Sequence, residues 1–79
     1  MIFTVYSKSG CPYCTKIEQV LKLLKLDYEI YKLDQDFTPE EFHDKFGKGS
    51  SFPQVVIDDE KIIGGCSQTL EYLREIKLI

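Results

Sequence analysis

In the stretch KSGCPYCTK, Cys11 and Cys14 stand three positions apart with Pro12 and Tyr13 between them. Thiols at this spacing can hold a metal, close a structural disulfide or pass electrons through a reversible one. Zinc takes about four ligands, and beyond the pair the chain offers only Cys66 and His43 as thiol or imidazole donors. A second Cys-x-x-Cys and a close histidine pair are both missing, so no metal is expected. Three cysteines are an odd number, which disfavours a secreted disulfide framework. A reducing, cytoplasmic setting is expected, where such a pair is more often catalytic or metal-binding than structural.

The elements that must position this pair can be read from periodicity. Ile2 to Tyr6 is rich in β-branched and aromatic residues and reads as a strand, broken by Ser7 to Gly10. Ile17, Val20, Leu21 and Leu24 then fall on one helical stripe, with Pro12 suited to the first turn. A second strand is expected over Tyr28 to Leu33, after a tight link at Leu26 and Asp27. Strand, helix and strand with short links make a βαβ unit with a right-handed crossover. In TPEE, Thr38 can cap a helix, Pro39 takes its first position and Glu41 completes a capping box, with an end at Phe46 before Gly47. Gln54 to Ile57 and Lys61 to Ile63 flank Asp58, Asp59 and Glu60 as a hairpin, which Gly64 and Gly65 stop. Ser67 is expected to cap a last helix in which Leu70, Leu73 and Ile76 share a face. The order βαβαββα implies an α/β fold, a four-stranded mixed sheet with helices on both faces.

This layout gives the two cysteines different surroundings. Cys11 falls at the N-terminus of the first helix, where unpaired N–H groups and the positive end of the helix dipole favour a thiolate. Lys8 and Lys16 are expected to add positive charge. Such settings lower a cysteine pKa from about 8.5 into the range ~3.5–7.5. Cys14, one turn further on, is more enclosed and near enough to form a disulfide with Cys11. Cys11 is therefore the attacking thiol and Cys14 the resolving one.

Composition narrows the partners. Seventy-nine residues are expected to form one domain, residues 1–79, and 43 % hydrophobic residues suffice for a core without disulfide staples. Ten basic and thirteen acidic residues are interspersed for a net charge of −3, leaving no basic patch for nucleic acid or an anionic membrane. No apolar run approaches the roughly 18 residues of a membrane span, and MIFTVYS lacks the pattern of a signal peptide.

Three motifs in order, CPYC after a strand, SFPQVVID before a hairpin and IGGCSQTL opening the last helix, span nearly the whole chain. Together they resemble the dithiol glutaredoxins. The resemblance implies a thioredoxin-like fold and a monomeric thioltransferase with glutathione as co-substrate. Disulfide-containing or glutathionylated proteins would be its partners, ribonucleotide reductase among them in some members. It places the nucleophile on Cys11 and the resolving thiol on Cys14. Tyr13 would pack beside bound glutathione and Lys8 would meet one of its carboxylates. Pro53 would follow a cis bond, with the Phe52 backbone pairing with the glutathione peptide like an added strand. Gly65, Cys66 and Ser67 would hold the γ-glutamyl end at a helix N-terminus.

The chain also departs from the family pattern. Phe52 replaces a usual Val, and Gln68 stands where many relatives have Asp nearby. The Arg often found before the proline motif is absent, with Lys48 as the one nearby substitute. Cys66 reads as a half-buried helix-start residue, with an oxidisable regulatory thiol as the alternative. Two rival functions share the fold. One is a thioredoxin-like reductant recharged by a reductase. The other is an iron–sulfur scaffold, against which Pro12 and Tyr13 argue because they crowd the loop a cluster would need.

Overall fold

The computed structural model describes residues 1–78. Its elements run β1 (Ile2–Ser7), α1 (Pro12–Leu23), β2 (Asp27–Lys32), α2 (Pro39–Phe46), β3 (Gln54–Ile57), β4 (Lys61–Gly64) and α3 (Cys66–Glu75). The strands form one mixed sheet in the order β2-β1-β3-β4. β1 lies parallel to β2 and antiparallel to β3, and β4 is antiparallel to β3. This is the expected βαβαββα order.

The register explains why three separate motifs meet. Tyr6, near the end of β1, is paired with Gln54 at the start of β3. Val55, next along β3, is paired with Gly64 at the end of β4. The loop carrying Cys11, the Phe52-Pro53 segment and the start of α3 therefore all emerge at one end of the sheet.

Alternation along β1 fills both faces. Phe3 and Val5, with Val55 and Ile57 of β3, pack against Ile17 and Leu21 of α1 and Cys66 and Leu73 of α3. On the opposite face Tyr6 meets Phe37, and Phe46 of α2, at ring centroid distances of 5.1 and 5.0 Å. Phe42 of α2, 1 % exposed, stacks on Phe52 with centroids 4.1 Å apart and planes 14° from parallel. Helices thus cover both faces, with aromatic rings as the packing material on the α2 side. Aromatic pairs in such geometries add about 0.5–1.5 kcal/mol each beyond the area they bury.

The start of α2 follows its sequence signal closely. The Glu41 N–H donates to Thr38 Oγ1 at 3.1 Å, and the Thr38 N–H donates to Glu41 Oε1 at 2.9 Å. Pro39 takes the first turn. The hairpin turns through Asp58 and Asp59, both left-handed with φ of 53° and 58°. Asp58 also fastens the hairpin to the sheet, because its Oδ1 accepts from the Ile2 N–H at 2.8 Å.

Several expectations are corrected. β1 continues through Ser7, whose carbonyl accepts from the Leu33 N–H, so the break begins only at Lys8. β2 starts at Asp27 and ends at Lys32, one residue earlier than expected at each end, and Leu33 instead bridges Phe37. β4 runs on to Gly64. Ser67 does not cap α3. Gly65 is the N-cap, and Ser67 lies exposed in the first turn. Gly65 has no side chain to offer, so only half of a capping box exists: Gln68 Oε1 accepts from the Gly65 N–H at 3.1 Å. Of the expected α3 face, Leu73 is buried and Leu70 is half-buried against the core, Ile76 is the exposed C-cap, and Cys66 and Thr69 complete the buried stripe. Thr69 can occupy that stripe because its hydroxyl donates to the Gly65 carbonyl at 2.8 Å. Among the described residues no helix is long and apolar enough to cross a membrane.

Truncating Phe42 opens a cavity under the stacked rings, so Phe42→Ala is expected to lose about 3–5 kcal/mol of stability. Leu23→Ala, at a position 80 % exposed, is expected to change stability by no more than about 0.5 kcal/mol. Urea unfolding midpoints compare the two.

Candidate active site

Cys11 is the N-cap of α1, with extended backbone (φ −110°, ψ 101°). Pro12 fills the first helical position, where its missing N–H has no intrahelical partner to lose. The Cys14 N–H points back at the Cys11 sulfur and donates to Sγ at 3.2 Å. Sulfur here takes the place of the hydroxyl or carboxylate oxygen of an ordinary N-cap. Cys11 and Cys14 are joined as a disulfide, their Cα atoms 5.3 Å apart, inside the range a disulfide spans without moving the backbone. Cys14 is 5 % exposed and Cys11 more open. An incoming group therefore reaches Cys11 first.

A hollow of about 420 Å³ opens over the pair, with Lys8, Glu18 and Lys32 on its walls. A separate, smaller groove of about 170 Å³ begins at Tyr13. It gathers Tyr13, Phe52, Pro53, Gly65, Cys66 and Ser67, six of the seven residues expected to bind glutathione. The seventh, Lys8, lines the Cys11 hollow, and its Nζ lies 5.3 Å from the centroid of the Phe52 ring. Tyr13 stands 63 % exposed, free to cover a ligand. The Phe52–Pro53 peptide bond is cis, as the resemblance implied.

The α3 end of the groove is built for close approach. Gly64 has a φ of 119°, and a Cβ there would press on the Gln68 side chain at 3.1 Å. Gln68 can therefore fold back over the glycine and cap Gly65. The N–H groups of the first turn of α3 have no intrahelical acceptors, so those of Cys66 and Ser67 are available to a carboxylate.

Two residues of this groove were not among the expected contacts, Ser51 and Gln68, the latter noted only as a departure from the family pattern. Gln68 had a signal, since Gly65-x-x-Gln68 has the spacing of a reversed capping contact. Ser51 had none beyond its place before Phe52. Lys48 lines neither hollow. Lys16 also lines neither, and its charge acts on Cys66. Burial pushes the Cys66 thiol above the ordinary cysteine range, with Lys16 opposing. Cys66 is 7 % exposed and unbonded to another cysteine. Among the described residues no group of three or more His, Cys, Asp or Glu comes together to hold a metal ion.

A sheet of this topology with a Cys-x-x-Cys pair at the first helix N-terminus defines a thioredoxin-like thiol–disulfide protein. The family model described as Glutaredoxin matches residues 3–62. The glutaredoxin of Vernicia fordii is 33 % identical over 78 residues, spanning 95 % of this chain and 74 % of its own. That of Haemophilus influenzae is 30 % identical over 82 residues, spanning 95 % and 93 %. The buckwheat glutaredoxin–glutathione complex superposes with a TM-score of 0.78 at 30 % identity, over 96 % of this chain and 71 % of that one. Reduced Escherichia coli glutaredoxin superposes with a TM-score of 0.81 over 95 % of both chains, and at 23 % identity it speaks for the fold alone. The chain belongs to the glutaredoxin family.

The Cys66 environment has a pH signature. With Cys11 and Cys14 joined, Cys66 is the one free thiol. Its folded pKa is raised, so the unfolded chain releases this proton first as pH rises. Stability is therefore expected to fall above about pH 8.5, and Cys66→Ala to flatten that part of the profile. Urea unfolding of the oxidised protein between neutral pH and the tyrosine range checks it.

Proposed function

We infer that this chain reduces protein disulfides and glutathione mixed disulfides through the Cys11/Cys14 pair, with glutathione as the electron donor. The Cys14 N–H donated to Cys11 Sγ carries the reading, because the same donor stabilises the thiolate once the disulfide is opened. A groove that begins at Tyr13, between the two cysteines in sequence, supports it, as does the similarity to the buckwheat glutaredoxin–glutathione complex.

Deglutathionylation runs by two exchanges. The Cys11 thiolate attacks the glutathione sulfur of a mixed disulfide, forming a Cys11–glutathione disulfide and expelling the substrate thiolate. A second glutathione, as thiolate, attacks the glutathione sulfur, releases glutathione disulfide and returns the Cys11 thiolate. With a protein disulfide, Cys11 first bonds to one substrate sulfur and the other leaves. Cys14, deprotonated, then attacks Cys11, releases the substrate thiol and closes the Cys11–Cys14 disulfide. Two glutathione molecules reopen it and depart as glutathione disulfide.

In this reading the Phe52 backbone pairs with the tripeptide and Tyr13 covers it. Lys8 meets one carboxylate, and the α3 N-terminus at Gly65, Cys66 and Ser67 meets the other. The protein acts as a cytoplasmic monomer in cellular electron transfer, on glutathionylated or disulfide-bonded proteins, with ribonucleotide reductase as a candidate client. Neither nucleic acid nor a membrane is part of the proposal.

The two chemistries separate by mutation. Cys14→Ser is expected to keep deglutathionylation and lose protein-disulfide reduction, whereas Cys11→Ser loses both. The check is NADPH oxidation coupled through glutathione and glutathione reductase. Equal turnover when thioredoxin reductase replaces glutathione and its reductase would favour the rival reductant, and full activity in Cys11→Ser would remove the assignment.

A further inference from the structure

Lys8 sits on an exposed loop, where a flexible side chain would ordinarily spread its charge over many positions. What it meets is an aromatic ring: its Nζ lies over Phe52, 5.3 Å from the centroid. Phe52 in turn stacks on the buried Phe42 at 4.1 Å, and Phe42 belongs to the cluster with Phe37 and Phe46. The ring is thus held by the α2 side of the protein while its negative π-face receives the ammonium. A carboxylate in that place would fix the lysine but cancel its field at a neighbouring thiolate. A ring fixes it and leaves its full charge.

We propose that Phe52 is a positioning residue for the redox chemistry, clamping Lys8 so that its charge stays at the Cys11 hollow and stabilises the Cys11 thiolate. The proposal rests on Cys11 being the attacking thiolate. The other charged or titratable groups facing that hollow are Lys32 from β2, and Glu18 and Cys14 from α1. Lys32 adds to the field of Lys8, and Glu18 opposes it.

The test is the pH dependence of Cys11 alkylation by iodoacetamide in reduced full-length protein. Phe52→Leu is expected to raise the midpoint by about half a pH unit, about a threefold loss of thiolate below the midpoint. Phe52→Tyr, which keeps the ring, should restore the wild-type profile. Should Phe52→Leu fail to fold, Phe52→pentafluorophenylalanine keeps the ring's shape but reverses its quadrupole, and the same upward shift is expected. In a Lys8→Gln background the midpoint is already raised, and changing Phe52 should add nothing. An unchanged midpoint in the Lys8 protein, or an equal further shift in Lys8→Gln, overturns the proposal. Alkylation uses no glutathione, so loss of glutathione turnover with this pattern intact would count against the proposed function alone.

Discussion

A single backbone N–H, that of Cys14, sets the chemistry of this molecule by pointing at the sulfur of Cys11. The contact exists because a cysteine occupies a helix N-cap, a position usually given to a hydroxyl, amide or carboxylate side chain. The first-turn donors of a helix need an acceptor from outside the helix, and an ionised sulfur is a better one than a protonated thiol. The helix is thereby completed by the charge state that makes the cysteine reactive. Cys14 takes part twice, through its N–H as donor and through its buried thiol as the group able to displace a substrate from Cys11. Separating the two cysteines by another interval would place only one of those functions within reach.

The sheet makes this arrangement useful. With β1 between β2 and β3, its exit loop is flanked by the segment that enters β3, and β4 returns the chain to the same end. Nothing in the Cys11 loop itself specifies a binding groove. The groove arises because strand register delivers Pro53 and Gly65 beside it. The aromatic layer on the α2 face then links the site to the fold, since Phe52 belongs at once to that layer and to the groove wall. A small domain has little core to spare, and one ring serves both packing and site.

Much of this was legible in the chain. Helical spacing located α1 and α3, while β1 and β3, buried on both faces, were found from β-branched and aromatic content and from the turn signals around them. The capping box of α2 could be read residue by residue, as its contacts are local. Cys11 and Cys14 carried their own signal in spacing and in Pro12. The errors fall where one local signal competes with another or with a tertiary pairing. Ser67 looks like a cap, yet a second local contact, the Gly65 N–H donating to Gln68 Oε1, goes with a helix whose N-cap is Gly65. Ser7 looks like a strand end, but pairing with β2 extends β1 through it. Lys16, read only as a neighbour of Cys11, also acts on the Cys66 thiol, an effect its place in the sequence does not show. The clamp between Phe52 and Lys8 joins residues 44 positions apart, which no periodicity could have shown.

The central claim is that the helix N-terminus keeps Cys11 ionised at neutral pH. The most direct test is the ultraviolet absorbance of the thiolate, followed against pH in reduced protein with Cys14→Ser and Cys66→Ala. Only one thiol then titrates, while the N–H of residue 14 is kept. A midpoint within about 3.5–7.5 is predicted. A midpoint near the ordinary thiol value of about 8.5 would contradict the account.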